Sequence, residues 1–275
     1  MSLTFFTWAD GHYVATDMSI SPWSQGQLSG TSVGALLARE LETHCPDSGF
    51  VPARFTVDLF RPVLNEPITV YSHIVRDGNR IRVADAAIVQ HDQIRARASV
   101  MYLTTGEQPP GQVWHTDDDL PVPTSDQVGP IGAPPLFKSG DHDWSQDFAS
   151  GQNSERKCVW HNLEFLVDDE PMSPFERAAF LGDATSMVCN WGTEGVGYIN
   201  CDVTVTLSRL PEGSEVGLRA LDQVAAQGIS VATATMYDRN GPLGTSVVNS
   251  LSNARRQVDL AGYGAAKAAL VHGSR

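Results

Sequence analysis

A weak internal repeat constrains this sequence more than any other feature. The segment TVDLFR at residues 56–61 matches TVTLSR at residues 204–209, which sets an offset of 204 minus 56, or 148 positions. The same offset, without a gap, relates further identical pairs: Gly34 and Gly182, Ile81 and Ile229, Val83 and Val231, Ala84 and Ala232, Ala86 and Ala234, Val100 and Val248, and Leu103 and Leu251. A constant register over most of the chain predicts two copies of one structural unit.

Each copy has the same order of predicted elements. A helical run comes first, GTSVGALLARELE in the first copy and SPFERAAFLGDATSMVCNW in the second, where Ser173, Pro174 and Glu176 form a capping box with proline at the first helical position. Alternating segments with β-branched residues follow, such as ARFTVDLFRP, ITVYSHIVRDG, IRVADAAIVQ and IRARASVMYL. VQHDQI and YDRNGPLG are typical of hairpin turns. Each copy is therefore predicted to be one helix followed by an antiparallel sheet, an α+β fold.

The predicted boundaries follow from changes in composition. Residues 1–104 form the first copy, and residues 151–256 form the second. Residues 105–150 between them are rich in proline and glycine and have no counterpart elsewhere, which predicts a long linker crossing the surface. Residues 257–275 are polar and then alanine-rich, which predicts a loose tail with a short helix.

Charge and cysteine content exclude several classes of protein. The net charge of -13 argues against general nucleic-acid binding, which needs a basic face. Seven of the 19 basic residues nevertheless lie between Arg54 and Arg97, either as a solvated sheet face or as a docking surface for an anionic ligand. We expect no membrane span and no export signal. Four cysteines without a CxxC pair or a Cys/His cluster predict neither a disulfide framework nor a metal site, and indicate a cytoplasmic location.

A long helix wrapped by an antiparallel sheet, made twice in one chain, resembles the double hotdog fold. The segments LSGTSVGALLARELE, ARFTVDLFRPVLNEPITVYSHIVRDGNRIRVADAAI and GYINCDVTVTLSRLP are similar to acyl-CoA thioesterases of the thioesterase II (TesB-like) type. The resemblance covers nearly all of the chain except the linker and the tail. It implies hydrolysis of acyl-CoA to a free fatty acid and CoA, without a metal or an organic cofactor, in a homodimer or homotetramer.

The resemblance also implies a catalytic set. In this family an Asp lies on the second-copy helix, a Thr at the start of the following strand and a Gln on the last strand. The Asp maps to Asp183, the Thr position to Asn200, and the Gln position falls at or beside Asn249. Asparagine keeps the amide of glutamine but is one methylene shorter, which is a departure from the family pattern.

The internal repeat provides a test of this catalytic set that does not depend on the family resemblance. Subtracting 148 from 183, 200 and 249 gives Ala35, Pro52 and Met101, none of which has a polar side chain. The polar groups are thus concentrated in one copy, as expected when a duplicated site survives only once.

These residue types suit thioester hydrolysis by an activated water. A carboxylate at Asp183 can accept the proton of a water molecule, and the amides of Asn200 and Asn249 can orient that water. Backbone N–H groups near a helix start or around Gly30 can stabilise the oxyanion, because glycine lets the backbone approach a ligand. Arg80 and Arg82 are candidate ligands of the CoA phosphates.

Other interpretations stay open at this point. Asp183 could be a structural carboxylate hydrogen-bonded to Ser186, and Asn249 could satisfy a neighbouring backbone group. The departure at Asn249 favours an alternative function, a non-catalytic double hotdog protein that binds acyl-CoA or lipid. A serine hydrolase is disfavoured by the lack of a GxSxG motif, and a hotdog hydratase by the lack of an Asp and His pair on one strand and helix unit.

Overall fold

The computed structural model describes residues 4–21, 24–45, 49–116 and 119–262. Its helices are α1 (Gly30–Glu42), α2 (Ser125–Val128), α3 (Phe148–Gly151) and α4 (Pro174–Asn190), with a 3-10 turn at Asp17–Ser19. Its strands are β1 (Phe6–Ala9), β2 (His12–Ala15), β3 (Ile20–Ser21), β4 (Ser24–Leu28), β5 (Phe50–Leu59), β6 (Val70–Arg76), β7 (Ile81–Gln90), β8 (Gln93–Thr104), β9 (Leu136–Ser139), β10 (Lys157–Asn162), β11 (Phe165–Val167), β12 (Glu170–Pro171), β13 (Trp191–Gly192), β14 (Gly195–Val196), β15 (Tyr198–Asn200), β16 (Asp202–Leu207), β17 (Glu215–Ala226), β18 (Ile229–Asp238) and β19 (Gly241–Ser252).

One antiparallel sheet joins the two copies. Its strand order is β6-β7-β8-β5-β16-β19-β18-β17-β10-β9, and β15 also pairs with β19. The centre of the sheet is symmetric, because the order β6-β7-β8-β5 of the first copy is mirrored by β17-β18-β19-β16 of the second. This is the double hotdog arrangement, and the predicted α+β fold is confirmed.

The sequence offset of 148 positions also relates the symmetric positions of this sheet. At the junction of the copies Thr56 pairs with Thr204, and their hydroxyl oxygens lie 3.0 Å apart. These two residues are 148 positions apart. Adding 148 to the bounds of β7 gives the bounds of β18, and adding it to those of β8 gives those of β19. A pseudo-two-fold axis therefore passes between the two threonines.

The two long helices pack together inside this sheet. A methyl group added at Gly34 of α1 would lie 3.3 Å from the carbonyl oxygen of Ala179 of α4, so small residues allow the helices to approach closely. The helices run antiparallel, because Gly30 lies beside Asp183 whereas Gly34, further along α1, lies beside the earlier α4 residue Ala179. Their buried faces and the inward faces of the strands form one hydrophobic core, which includes Leu36, Leu37, Phe55, Phe175 and Leu181.

Helix α4 begins one turn earlier than the repeat requires. Adding 148 to the bounds of α1 gives residues 178–190, whereas α4 spans Pro174–Asn190. The extra turn is started by the predicted capping box, in which Ser173 Oγ accepts the N–H of Glu176 at 2.9 Å and Glu176 Oε2 accepts the N–H of Ser173 at 3.0 Å. Helices α1 and α4 therefore end at equivalent positions of the repeat but start at different ones.

The segment between the copies packs against the second half. It contains α2, β9 and the start of α3, and β9 pairs with β10 at the end of the sheet. The hydroxyl of Tyr237 donates to the carbonyl of Pro121 at 2.7 Å, which fixes the segment to β18. Of the predicted tail, residues 263–275 lie outside the described residues. In the described part of the chain no helix is long and apolar enough to cross a membrane.

Candidate active site

Asp183 lies in the middle of α4 and faces the first residue of α1, Gly30. A methyl group added at Gly30 would lie 2.5 Å from the carboxyl carbon of Asp183, so a side chain at this position would collide with the carboxylate. Ser29 caps α1 by accepting the N–H of Ser32. The N–H groups of Gly30 and Thr31 belong to the first turn, where backbone donors have no partner within the helix. The carboxylate thus lies at the positive end of the α1 dipole.

Asn200 is the hydrogen-bond partner of Asp183. Its Nδ2 donates to Asp183 Oδ1 at 2.7 Å. Asn200 ends β15, and the pairing with β19 shifts by one residue before β16 begins: Asn200 pairs with Ser250, whereas Thr204 pairs with Val247. The extra residue at this bulge is Cys201. Bulges commonly redirect side chains near functional sites, and this one lets Asn200 point to the helices while Asp202 points outward.

The protonated form of Asp183 is more favoured in the folded protein than it would be in water. Burial raises the pKa of the Asp183 carboxyl above its usual value, and the hydrogen bond from Asn200 lowers it in part. The side chain is nevertheless half-buried rather than fully enclosed. A partly exposed carboxylate with a raised pKa is suited to accept a proton.

The structure does not place Asn249 beside the Asp183 carboxyl group. It lies on the exposed face of β19, and both its backbone N–H and its side-chain Nδ2 donate to the carboxylate of Asp202, at 2.7 and 2.8 Å. Because neighbouring residues of a strand point to opposite faces, the side chain of Asn249 points away from the helices. Its contacts are those of a structural residue on the outer face.

The adjacent residue, Ser250, takes the inward position that the sequence reasoning missed. It lies directly opposite Asn200, so the two side chains share one face of the sheet. Ser250 is 1% exposed, and within the described part of the chain its Oγ has no hydrogen-bond partner. The alternation of VVNSLS could have revealed it, since Ser250 is in phase with the buried Val248 and Asn249 is not.

Arg80 and Arg82 lie at the other end of α1. The Arg82 guanidinium donates to Asp77, at 2.9 and 2.5 Å, and to the carbonyl of His44 at 3.2 Å, just beyond the C-terminus of the helix. Arg80 is exposed. The 13 residues of α1 separate this end from Gly30 by about 18 Å. The structure therefore does not bring either arginine to Asp183.

The first copy lacks an equivalent site. The counterpart of Asp183 is Ala35, which is fully buried, and the counterpart of Gly30 is Ala178. Because α4 starts at Pro174, Ala178 lies inside the helix, where its N–H is already used by the helical hydrogen-bond pattern. The first turn of α4 occupies the place where the second site would open. One helix start and one carboxylate are therefore available, at Gly30 and Asp183.

Two further observations concern titratable groups. His161 of β10 packs against Phe180, with the ring centres 5.7 Å apart, and burial lowers the pKa of its imidazole to about 4, which keeps the ring neutral at pH 7. The described residues contain no group of three or more His, Cys, Asp or Glu side chains that could hold a metal ion.

Comparison with known proteins identifies the family. A family model described as the acyl-CoA thioesterase N-terminal domain matches residues 19–105, and one described as the acyl-CoA thioesterase C-terminal domain matches residues 115–248. The chain belongs to the acyl-CoA thioesterase family. Its activity is accordingly that of a thioester hydrolase acting on acyl-CoA.

Solved structures of thioesterases share the fold at low sequence identity. The TesB protein of Mycobacterium avium subspecies paratuberculosis is 15% identical, with a TM-score of 0.63, and the match covers 90% of this chain and 95% of that one. The acyl-CoA thioesterase II TesB2 of Mycobacterium marinum is 14% identical, with a TM-score of 0.60 and coverage of 81% and 88%. A thioesterase II from Thermobifida fusca is 12% identical, with a TM-score of 0.63 and coverage of 90% and 96%. No curated protein sequence matches this chain.

Proposed function

We propose that this thioesterase hydrolyses acyl-CoA with a water molecule activated by Asp183 and oriented by Asn200 and Ser250. The observation that carries the proposal is the 2.7 Å hydrogen bond from Asn200 to Asp183, formed beside Gly30 at the start of α1. The bond occupies Asp183 Oδ1 and leaves Oδ2 for the water. The unpartnered hydroxyl of Ser250, on the neighbouring strand, supplies a second group for holding it.

The reaction then proceeds in two steps without a covalent enzyme intermediate. The water oxygen bonds to the thioester carbon while its proton passes to Asp183, which gives a tetrahedral oxyanion. The carbon–sulfur bond then breaks, and Asp183 returns the proton to the sulfur, which releases CoA as the free thiol. The other product is the free acid.

The first turn of α1 provides the donors for the oxyanion. The N–H groups of Gly30 and Thr31 have no helical acceptor and point out of the positive end of the helix. Such donors stabilise negative charge that develops in a transition state, and they need no reorganisation when the charge appears. The absence of a side chain at Gly30 lets the Asp183 carboxylate lie directly beside these donors.

The test is thiol release from acyl-CoA esters of short, medium and long chain by the wild type and by Asp183→Asn. We expect the variant to fold normally and to lose about 10²- to 10⁴-fold in kcat, because asparagine cannot accept the proton. Asp58→Asn is the matched control, since Asp58 lies on the outer face in an ion pair with Arg97. Full activity in Asp183→Asn would refute the role of this carboxylate.

A second candidate function is supported by one observation. The inward position of β19 beside Asn200 holds a serine, whose side chain is much shorter than the family glutamine, while Asn249 points outward. A site with a weakly held water could bind acyl-CoA without cleaving it. In that case no ester in the panel releases thiol, yet acyl-CoA raises the Tm of the protein.

A further inference from the structure

Large apolar side chains are exposed on the outer face of the long sheet, the face opposite α1 and α4. On β18 Ile229 pairs with Leu251 of β19, and Val231 pairs with Val224 of β17. These four neighbouring side chains are 43–64% exposed. The segment between the copies packs near Tyr237, six residues or about 20 Å from Val231 along β18. Folding of one chain therefore leaves an apolar patch on the sheet, which is typical of an interaction surface.

The equivalent positions in the first copy are less exposed. Three of the four residues are identical there, and the equivalents are Ile81, Val83 and Leu103. The fourth, Val224, is replaced by Arg76, which pairs with Val83 as Val224 pairs with Val231. An arginine covers neighbouring apolar surface with the methylene groups of its side chain and keeps its charge in water. The second copy has a valine instead of this arginine, and its apolar residues are the more exposed ones.

One row of outward-facing residues crosses the eight strands from β6 to β17 at the level of the patch. In strand order the row is Tyr71, Ala87, Arg97, Asp58, Asp202, Asn249, Val231 and Val224. The side chains at its two ends are large and exposed, Tyr71 at 61% and Val224 at 64%. The row is therefore apolar at both ends and charged in the middle.

The charges in the middle of the row are incompletely paired. Asp58 and Asp202 lie directly opposite each other on β5 and β16, where like charges repel. Arg97 pairs with Asp58 at 2.7 Å. Among the described residues no cation pairs with Asp202, whose carboxylate accepts hydrogen bonds from Asn249. A cation from a second molecule would be attracted to this position.

A second copy of the chain supplies both the apolar surface and the cation. A two-fold axis parallel to the strands, between Asp58 and Asp202, reverses the order of the row. Tyr71 then faces Val224 of the second copy, and each such contact occurs twice. Arg97 comes to lie between Asp58 of its own chain and Asp202 of the second copy. Two sheets whose strands are nearly aligned pack in this way in β-sandwiches.

The area of the face is large enough for such an interface. Eight strands about 4.8 Å wide and three rows of outward-facing residues about 20 Å high give roughly 700 Å² on each copy. Stable protein interfaces bury about 800 Å² on each partner. The row and the two rows beside it therefore suffice for a dimer.

We propose that the outer face of the sheet is the interface between two copies of this chain, related by a two-fold axis parallel to the strands, with Tyr71 of each copy against Val224 of the other. Asp183 lies on α4, on the opposite side of the sheet. The inference therefore does not depend on the proposed function.

The experiment measures the mass of the full-length protein in solution by light scattering after gel filtration. We expect the wild type to contain two chains and Val224→Glu to have half the mass of the wild type. The reason is that the new carboxylate would be buried against Tyr71 of the second copy without a partner, and this happens twice in each dimer. Tyr71→Arg changes the other end of the row and is expected to halve the mass for the same reason.

The double variant Tyr71→Arg, Val224→Glu tests which residues face each other. Its two new charges have opposite signs and meet across the interface, so we expect the mass of the wild type to return. Val14→Glu is the matched control, because Val14 is an exposed valine of β2, in a different sheet. The control is expected to keep the mass of the wild type.

Several results would overturn the inference. A wild type that contains one chain would do so, as would single variants that keep the mass of the wild type. A double variant that stays at half the mass would contradict the facing of Tyr71 and Val224, and dissociation of the Val14→Glu control would show that the effect is not specific to this face. A cooperative thermal transition shows that each variant folds, and Tyr71→Arg decides the outcome if Val224→Glu does not.

Discussion

Gly30, burial and Asn200 each act differently on the carboxyl group of Asp183. Gly30 makes room for the carboxyl group, burial raises its pKa, and Asn200 lowers that pKa through a single hydrogen bond. The proposed role of Asp183 as a base requires an ionised carboxylate at the working pH. The hydrogen bond from Asn200 matters for that role because it lowers the pKa that burial raises. Asn200 therefore both orients the carboxylate and extends the pH range in which it is charged.

This argument predicts a pH effect for Asn200→Ala. Because the lost hydrogen bond favours the ionised form, the pKa of Asp183 rises further in the variant. The acid limb of kcat/KM against pH then moves to higher pH, and activity near that limb falls more than activity in the alkaline range. The profile is measured by thiol release across the pH range.

Asn249→Ala is the matched control, because its amide binds Asp202 on the outer face. An acid limb that stays in place in Asn200→Ala, or moves equally in both variants, would contradict the assignment.

At the scale of elements, the two long helices differ at their starts. Helix α1 begins at Gly30 and leaves its first N–H groups facing the candidate site, whereas the extra turn of α4 packs against the end of α1. There Ser173 Oγ donates to Glu42 Oε2 at 2.6 Å, and Arg39 pairs with Glu176. Acidic groups are thus concentrated where α1 ends and α4 begins.

Glu42 makes this contact sensitive to pH. Burial, with a further contribution from the charge of Glu176, raises the pKa of Glu42 to about 7, although the hydrogen bond from Ser173 and the charge of Arg39 oppose the shift. A carboxyl with a raised pKa in the folded state contributes stability at low pH that is lost as the pH rises towards 7.

We therefore expect Glu42→Gln, which can still accept the bond from Ser173, to be more stable than the wild type by about 2 kcal/mol at pH 8. The difference in unfolding free energy should vanish near pH 4, below the usual pKa of a glutamate. Urea unfolding at pH 4 and pH 8 measures it, and an equal difference at the two pH values would show that Glu42 titrates normally.

At the scale of the whole molecule, a nearly symmetric sheet holds one candidate site. The pseudo-two-fold axis at Thr56 and Thr204 relates the strands, but Ala35, Pro52 and the extra turn of α4 close the equivalent place in the first copy. Assembly into a homodimer or homotetramer stays a prediction from the resemblance, and a cytoplasmic location stays a prediction from the cysteine pattern. Neither is needed to form the site described within one chain.

The asymmetry predicts that a carboxylate introduced in the first copy cannot take over the role of Asp183. Ala35→Asp in the Asp183→Asn background should restore no thiol release, because no helix start lies beside residue 35. It should also lower the free energy of unfolding by several kcal/mol, since Ala35 is fully buried and an unpaired acid there lacks a partner. Recovered activity in this double variant would show that the two copies are functionally equivalent.

The sequence by itself determined the duplication, the bounds of α1, the capping box of α4 and the place of Asp183. The duplication appears in the sequence as a gapless offset of 148 positions. The other features are local and depend on neighbouring residues. Only the tertiary structure decided which strand residues face the helices. The bulge at Cys201 and the alternation of β19 turn Asn200 and Ser250 inward and Asn249 outward, and a one-residue shift reverses the face of every side chain. It also placed Arg80 and Arg82 at the far end of α1 from Gly30, because β7 begins beside the C-terminus of that helix, where Arg82 donates to the carbonyl of His44.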